Sequence, residues 1–125
     1  MDFFNSTSFL KIGGIVLAAV GVLGFLGLIG PTPEQSIFGS FWWFDNLENF
    51  AHLLLGVVGL VVAFYLPMNL HKPVTLLVGA LALFFALYNL ISTNFLGANL
   101  ENPADLVLHL AVGAWALYSA LNKKA

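Results

Sequence analysis

The sequence predicts an all-α protein: a four-helix transmembrane bundle made of two helical hairpins. Three observations predict it. Of the 125 residues, 60% are hydrophobic and only 8% charged, whereas a soluble domain carries roughly 25% charged residues; the chain lacks an adequate polar surface for water. Four apolar stretches meet or approach the roughly 20 residues that a helix needs to cross a hydrocarbon core. One polar pattern is written twice, at the entries to the second and fourth stretches: Asp45, Glu48, His52 and Gly56, then Asn102, Asp105, His109 and Gly113 at the same offsets. At this length a single integral membrane domain over residues 1–125 is the natural reading.

The first span is expected at about residues 9–30. Lys11 ahead of an apolar run resembles a signal peptide, but the run from Ile12 to Ile29 exceeds the usual signal core of about 7–15 residues, so an uncleaved helix is expected. Gly13, Gly14, Gly21, Gly24 and Gly27, with Ala18, give it a smooth surface, suited to close packing within the bundle or against a partner. The connection that follows holds Phe38, Phe41, Trp42, Trp43 and Phe44, the composition of an interfacial aromatic belt; a short helix lying in the headgroups, or a docking surface, is expected there. The second span covers about 47–66 and stops at Pro67. The third runs over about 73–92 and the fourth over about 103–121, with Pro73 and Pro103 placed in first helical turns, where a missing N–H costs nothing.

Lysine supplies all the positive charge. With four crossings Lys11, Lys72, Lys123 and Lys124 fall on one side, which the positive-inside rule makes cytoplasmic. Both termini are then expected inside, in a bacterial inner membrane. The net charge of −2 and the lack of a basic patch argue against a nucleic-acid partner. Absent cysteine removes disulfides, thiolate metal sites and cysteine nucleophiles.

The repeat extends past the histidines: Phe38 and Phe95 hold the same register ahead of the two copies. Each unit is read as a helix, an outer connection and a returning helix, an internal duplication. His52 and His109 then share a depth in the outer leaflet, and a pseudo-twofold along the membrane normal brings them face to face. Glu48 and Asp105, four residues earlier, sit one turn up the same face, placed to accept the imidazole N–H and free the other nitrogen. Gly56 and Gly113, one turn deeper, open space for a neighbouring helix or a ligand. Tyr88, Asn89 and Ser92 lie at a depth that reaches the same site.

The segments ENFAHLLLGVVGL, within Asn46 to Leu60, and NPADLVLHLAVGAWAL, from Asn102 to Leu117, resemble the two halves of a small four-span bacterial membrane family catalogued only as a domain of unknown function. The resemblance covers nearly the whole chain and rests on the two histidine motifs. It implies a four-helix inner-membrane protein and brings no activity.

Several functions remain open. In one, the acid–histidine pairs are polar glue that locks the bundle of a non-enzymatic accessory or scaffolding subunit, which contacts other membrane subunits or itself, with the glycine-rich first helix as contact face. In another, His52 and His109 are axial ligands of haem b or of chlorophyll-type pigment in a respiratory or photosynthetic complex. A metal site built from Glu48, His52, Asp105 and His109 matches the Glu-x-x-His pattern of bundle di-metal centres only in part. Transport is disfavoured because the inner halves of the second, third and fourth spans are read as lacking ionisable residues. An enzyme is not expected: Ser92, Ser119 and Tyr88 have no evident base at matching depth.

Overall fold

The computed structural model describes residues 2–122. Four helices dominate it: α1 (Ser6–Phe25), α2 (Asn46–Tyr65), α3 (His71–Asn89) and α4 (Ala104–Leu121). Each, with one extra 3₁₀ turn preceding α3, is long and apolar enough to cross a membrane. The protein itself buries only 28–33% of each span.

Local chemistry sets the helix ends. Asn5, in extended conformation, caps α1 by accepting from the Ser8 backbone N–H at 2.8 Å. The helix therefore starts at Ser6, earlier than the apolar run suggests, and ends at Phe25 rather than near Gly30. The chain leaves it through Gly27, whose φ of +85° strains any residue with a Cβ. Asp45 caps α2 in a full capping box: its side chain accepts from the Glu48 N–H while Glu48 accepts from the Asp45 N–H, satisfying two orphan donors at once. Pro67 ends that span, and a 3₁₀ turn at Met68–Leu70 leads into α3. Pro73 falls in the first turn of α3, and Pro103 immediately precedes α4.

The packing is hairpin by hairpin. α1 lies along α2 and α3 along α4, with only sparse contact between the pairs. This matches the two-unit reading of the sequence. The well-packed core sits at the end where the chain begins: Phe9, Leu10, Val62, Ala63 and Ala116, backed by Val74, Val78, Val112 and Trp115. Polar bonds tie the N-terminal segment to the second hairpin there. Trp115 donates its indole N–H to the Phe3 carbonyl (2.9 Å) and Asn122 donates to the Phe4 carbonyl (2.8 Å). His71, 4% exposed, donates through Nε2 to the Leu66 carbonyl (3.2 Å), which can only accept, so its Nδ1 accepts from the Thr7 hydroxyl (2.7 Å).

At the other end the two connections fold back over the helices. The first contains 3₁₀ turns at Pro33–Gln35 and Gly39–Phe41 instead of an interfacial helix, and a bridge pairs Ile29 with Ser36. The second holds a two-stranded hairpin, β1 (Asn94–Phe95) and β2 (Ala98–Asn99), which the sequence reading did not anticipate. Its turn places Leu96 at φ 52° and Gly97 at φ 95°, the left-handed pair that a two-residue hairpin requires. Ile29, Phe44 and Leu100, all buried, form a roof over the bundle. Lys123 and Lys124 lie outside the described residues; Lys11, whose ammonium sits 4.9 Å above the Phe64 ring, and Lys72 share the end opposite the roof.

Candidate functional site

Because the hairpins touch closely only near their ends, a cleft of about 680 Å³ remains between them. That volume falls within the ~300–1,000 Å³ typical of ligand sites. The cleft runs from the roof residues Ile29, Phe44 and Leu100 down to Phe9, Leu10 and Trp115. Leu47 and Gly59 of α2 both line it, a length of ~18 Å at ~1.5 Å per helical residue.

His52 and His109 line this one cleft, from opposite hairpins. Each packs on a phenylalanine: Phe44 stands edge-on to His52 with centroids 5.3 Å apart, and Phe85 lies 5.8 Å from His109. Glu48 is the remaining ionisable side chain in the lining; the other lining groups are overwhelmingly apolar.

The carboxylates, however, do not serve the histidines. Glu48 is turned back to the Asp45 N–H (3.2 Å) in the capping box. Asp105, 1% exposed, accepts from the Trp42 indole N–H at 2.9 Å and from the Glu101 backbone N–H at 2.7 Å. The Nδ1 atoms of His52 and His109 are both buried without a hydrogen-bond partner, although the His109 ring faces the Asp105 backbone one turn back. The expected one-turn acid–imidazole pairs are therefore absent. At a helix start the orphan backbone N–H groups compete for the same carboxylates, and here the backbone and Trp42 win.

What the acids do is clasp the hairpins together. Trp42, in the first connection, donates to Asp105 at the start of α4. Asn99, in the second, donates its backbone N–H to Asp45 at the start of α2 at 2.6 Å. Trp42 and Asn99 occupy matching positions of the two copies, each four residues past the register phenylalanine, so the clasp is reciprocal. Trp42 is thus more than a belt residue: its indole is pinned and its ring lines the cleft.

The glycines of the motif face neighbouring helices, which removes the ligand option for them. A Cβ on Gly56 would meet the Ala18 nitrogen at 2.5 Å and the Gly14 carbonyl at 2.8 Å; one on Gly113 would meet the Leu83 side chain at 2.6 Å. The small face of α1 is spent in the same way: Gly14, Gly21 and Gly24 pack against Leu60, Leu53 and Asn49 of α2, so this part of the face is taken up within the hairpin.

Tyr88, Asn89 and Ser92 also turn away from the cleft. Tyr88 donates to the Asn94 carbonyl (2.6 Å), Ser92 donates to the same carbonyl (3.1 Å), and buried Asn89 donates to the Leu100 carbonyl (3.3 Å). They shape the second connection. Asn49, fully buried, performs the like task in the first by donating to the Phe44 carbonyl at 3.2 Å.

Sequence reasoning missed His71 as an ionisable residue at the far end of the bundle; the sign was a histidine at the head of an otherwise apolar span. Among the described residues no group of three or more His, Asp or Glu side chains is placed to hold a metal ion, and Glu48 and Asp105 are committed elsewhere. Comparisons of the chain with protein-family models, with curated proteins and with solved structures returned no match.

Proposed function

We propose that this protein is a non-enzymatic multi-pass membrane protein that holds one membrane-soluble apolar molecule in the cleft between its hairpins, as an accessory to another membrane component. The observation that carries the reading is a cleft of about 680 Å³, apolar along its length, with the imidazoles of His52 and His109 lining one end. The Nδ1 atoms are enclosed by the protein, so an occupant meets these imidazoles through Nε2, a polar contact in an otherwise apolar space. The histidines thereby move from polar glue to ligand contacts, and the locking role passes to Asp45 and Asp105.

The test is extraction of the protein from its native membrane into lipid nanodiscs, followed by mass spectrometry of bound small molecules. One species at near-equimolar ratio is expected. Ala51, on the cleft wall, is the place to block it: Ala51→Trp should reduce the retained molecule about 5- to 150-fold, since overfilling a packed site costs about 1–3 kcal/mol. Equal retention by both proteins, or no retained molecule at all, sinks the reading.

Haem b is a second reading, favoured by two imidazoles facing one space. Haem propionates want cationic partners, whereas the lining holds Glu48 and neither lysine nor arginine. Such a pair of axial ligands predicts a Soret band in the purified protein, and a chlorophyll-type pigment predicts a Qy band; a colourless preparation excludes both.

The orientation we propose has the N-terminus and the α2–α3 connection cytoplasmic, in a bacterial inner membrane. It is supported by Lys11 and Lys72 sharing one end of the bundle. The chain has no cysteine, so Ser40→Cys, at an exposed site in the first connection, should react with an impermeant maleimide added outside intact cells. Labelling only after lysis reverses the orientation.

A further inference from the structure

We propose that the occupant of the cleft is an isoprenoid quinone or quinol, a neutral molecule with a flat ring bearing two opposed oxygens and an apolar tail. The inference rests on the ligand-holding reading above and narrows its chemistry. Four features of the site support it.

The first is charge. The lining holds the carboxyl of Glu48 and no lysine or arginine, so ligands bearing carboxylate or phosphate, such as fatty acids and phospholipids, would be left without a counter-charge in a low-dielectric space. The second is the pairing of the histidines. Their buried Nδ1 atoms leave Nε2 as the nitrogen that a molecule in the cleft can reach. An imidazole nitrogen accepts from a hydroxyl or donates to a carbonyl according to its tautomer. Two imidazoles on opposite hairpins therefore suit a ring with an oxygen at each of two opposite edges, in either its hydroxyl or its carbonyl form. A single-headed alcohol would leave one imidazole unpartnered.

The third is the aromatic setting. Phe44 packs on His52 and Phe85 on His109, and Phe38, Trp42 and Phe95 complete the same end of the lining, where a flat ring gains stacking and edge contacts. The fourth is polarity along the cleft. The polar groups Glu48, His52 and His109 sit under the roof, while the far end is formed by Phe9, Leu10, Val78, Val112 and Trp115. A ligand with its polar head outward and its apolar tail running inward matches this gradient.

The experiment uses the full chain in nanodiscs of zwitterionic lipid. Decyl-substituted benzoquinone is titrated while tryptophan fluorescence is recorded; Trp42 and Trp115 line the cleft and report contact with a quenching ring. Decylbenzene, which has the tail and a ring without the oxygens, is the competitor. Saturable quenching is expected, with decylbenzene competing at least about tenfold more weakly. His52→Leu and His109→Leu should each weaken quinone binding about 3- to 10-fold, the range of one hydrogen bond. His52→Gln and His109→Gln, which keep a polar side chain, should lose less and serve if the leucine variants do not fold. Decylbenzene binding as well as the quinone, with the histidine variants unchanged, overturns the quinone assignment and leaves an apolar-ligand site standing. Failure of both probes to bind, together with no effect of Ala51→Trp, overturns the ligand-holding reading as well.

Discussion

Replacing Gly56 with alanine is expected to destabilise the bundle by about 3 kcal/mol, at the upper end of the usual cost of overpacking, whereas Gly113→Ala at the equivalent position of the second copy is expected to be near neutral. The two glycines look interchangeable in the sequence. A Cβ on Gly56 meets backbone, the Ala18 nitrogen and the Gly14 carbonyl of α1, which can yield only if the helices separate. A Cβ on Gly113 meets the Cδ2 and Cγ of Leu83 at 2.6 and 2.8 Å, a side chain that can change rotamer where backbone cannot. Gly56 is also hemmed by further α1–α2 contacts, since Gly14 and Gly21 press on Leu60 and Leu53, so strain there has nowhere to relax. Unfolding of purified variants in mild detergent with increasing SDS, followed by circular dichroism, measures the difference. Equal destabilisation at both positions would mean that the second hairpin packs as tightly as the first, against the geometry described here.

The second large effect is at the clasp. Asp105→Ala should cost about 2–4 kcal/mol, because it leaves the Trp42 indole N–H and the Glu101 backbone N–H without their shared acceptor in a buried site. Trp42→Phe keeps an aromatic ring on the cleft wall and removes the donor, so about 1–2 kcal/mol is expected. The two losses should be strongly non-additive, since they break one bond between them. The clasp joins the hairpins, so these variants should also quicken amide exchange in the connections while α1 and α2 stay protected against each other. An additive double mutant would show that the 2.9 Å contact carries no energy.

The particular residues show what the sequence made legible. Four spans were readable because burying about 20 backbone units in lipid demands long apolar helices. The pairing of α1 with α2 and of α3 with α4 followed from the repeated polar pattern, and not from loop length, since the shortest connection joins α2 to α3. The shared depth of His52 and His109 followed from counting residues from each helix start. The capping box was also present in the sequence, since Asp45 stands three residues before Glu48 ahead of an apolar run, but the pairing of Glu48 with His52 was read in its place, and the structure turns Glu48 to the backbone. The i, i+4 rule that pairs an acid with a histidine describes a helix interior. In a first turn the unpaired backbone N–H groups are nearer and need no rotamer compromise.

Other features had no local signal. The bond from Trp42 to Asp105 spans 63 residues, and the one from Asn99 to Asp45 spans 54; nothing in either segment marks its partner. The 3₁₀ turns and the small hairpin of the connections depend on what they cover. The burial of Asn49 follows from Gly24 of α1, where any side chain would occupy the place of the asparagine amide.

By itself, then, the sequence determined a membrane protein of four helices in two hairpins, with a matched histidine in each returning helix. Hydropathy and backbone hydrogen bonding leave few alternatives for such a chain. Only the tertiary structure decided that the hairpins leave a cleft between them, that both histidines line it unpaired with the acids, and that the acids clasp the connections instead. The reason is that an apolar side chain has the same chemistry whether it faces lipid, a neighbouring helix or a cleft. Composition marks it as outside water, and only the packing of two hairpins says which of those surfaces it meets.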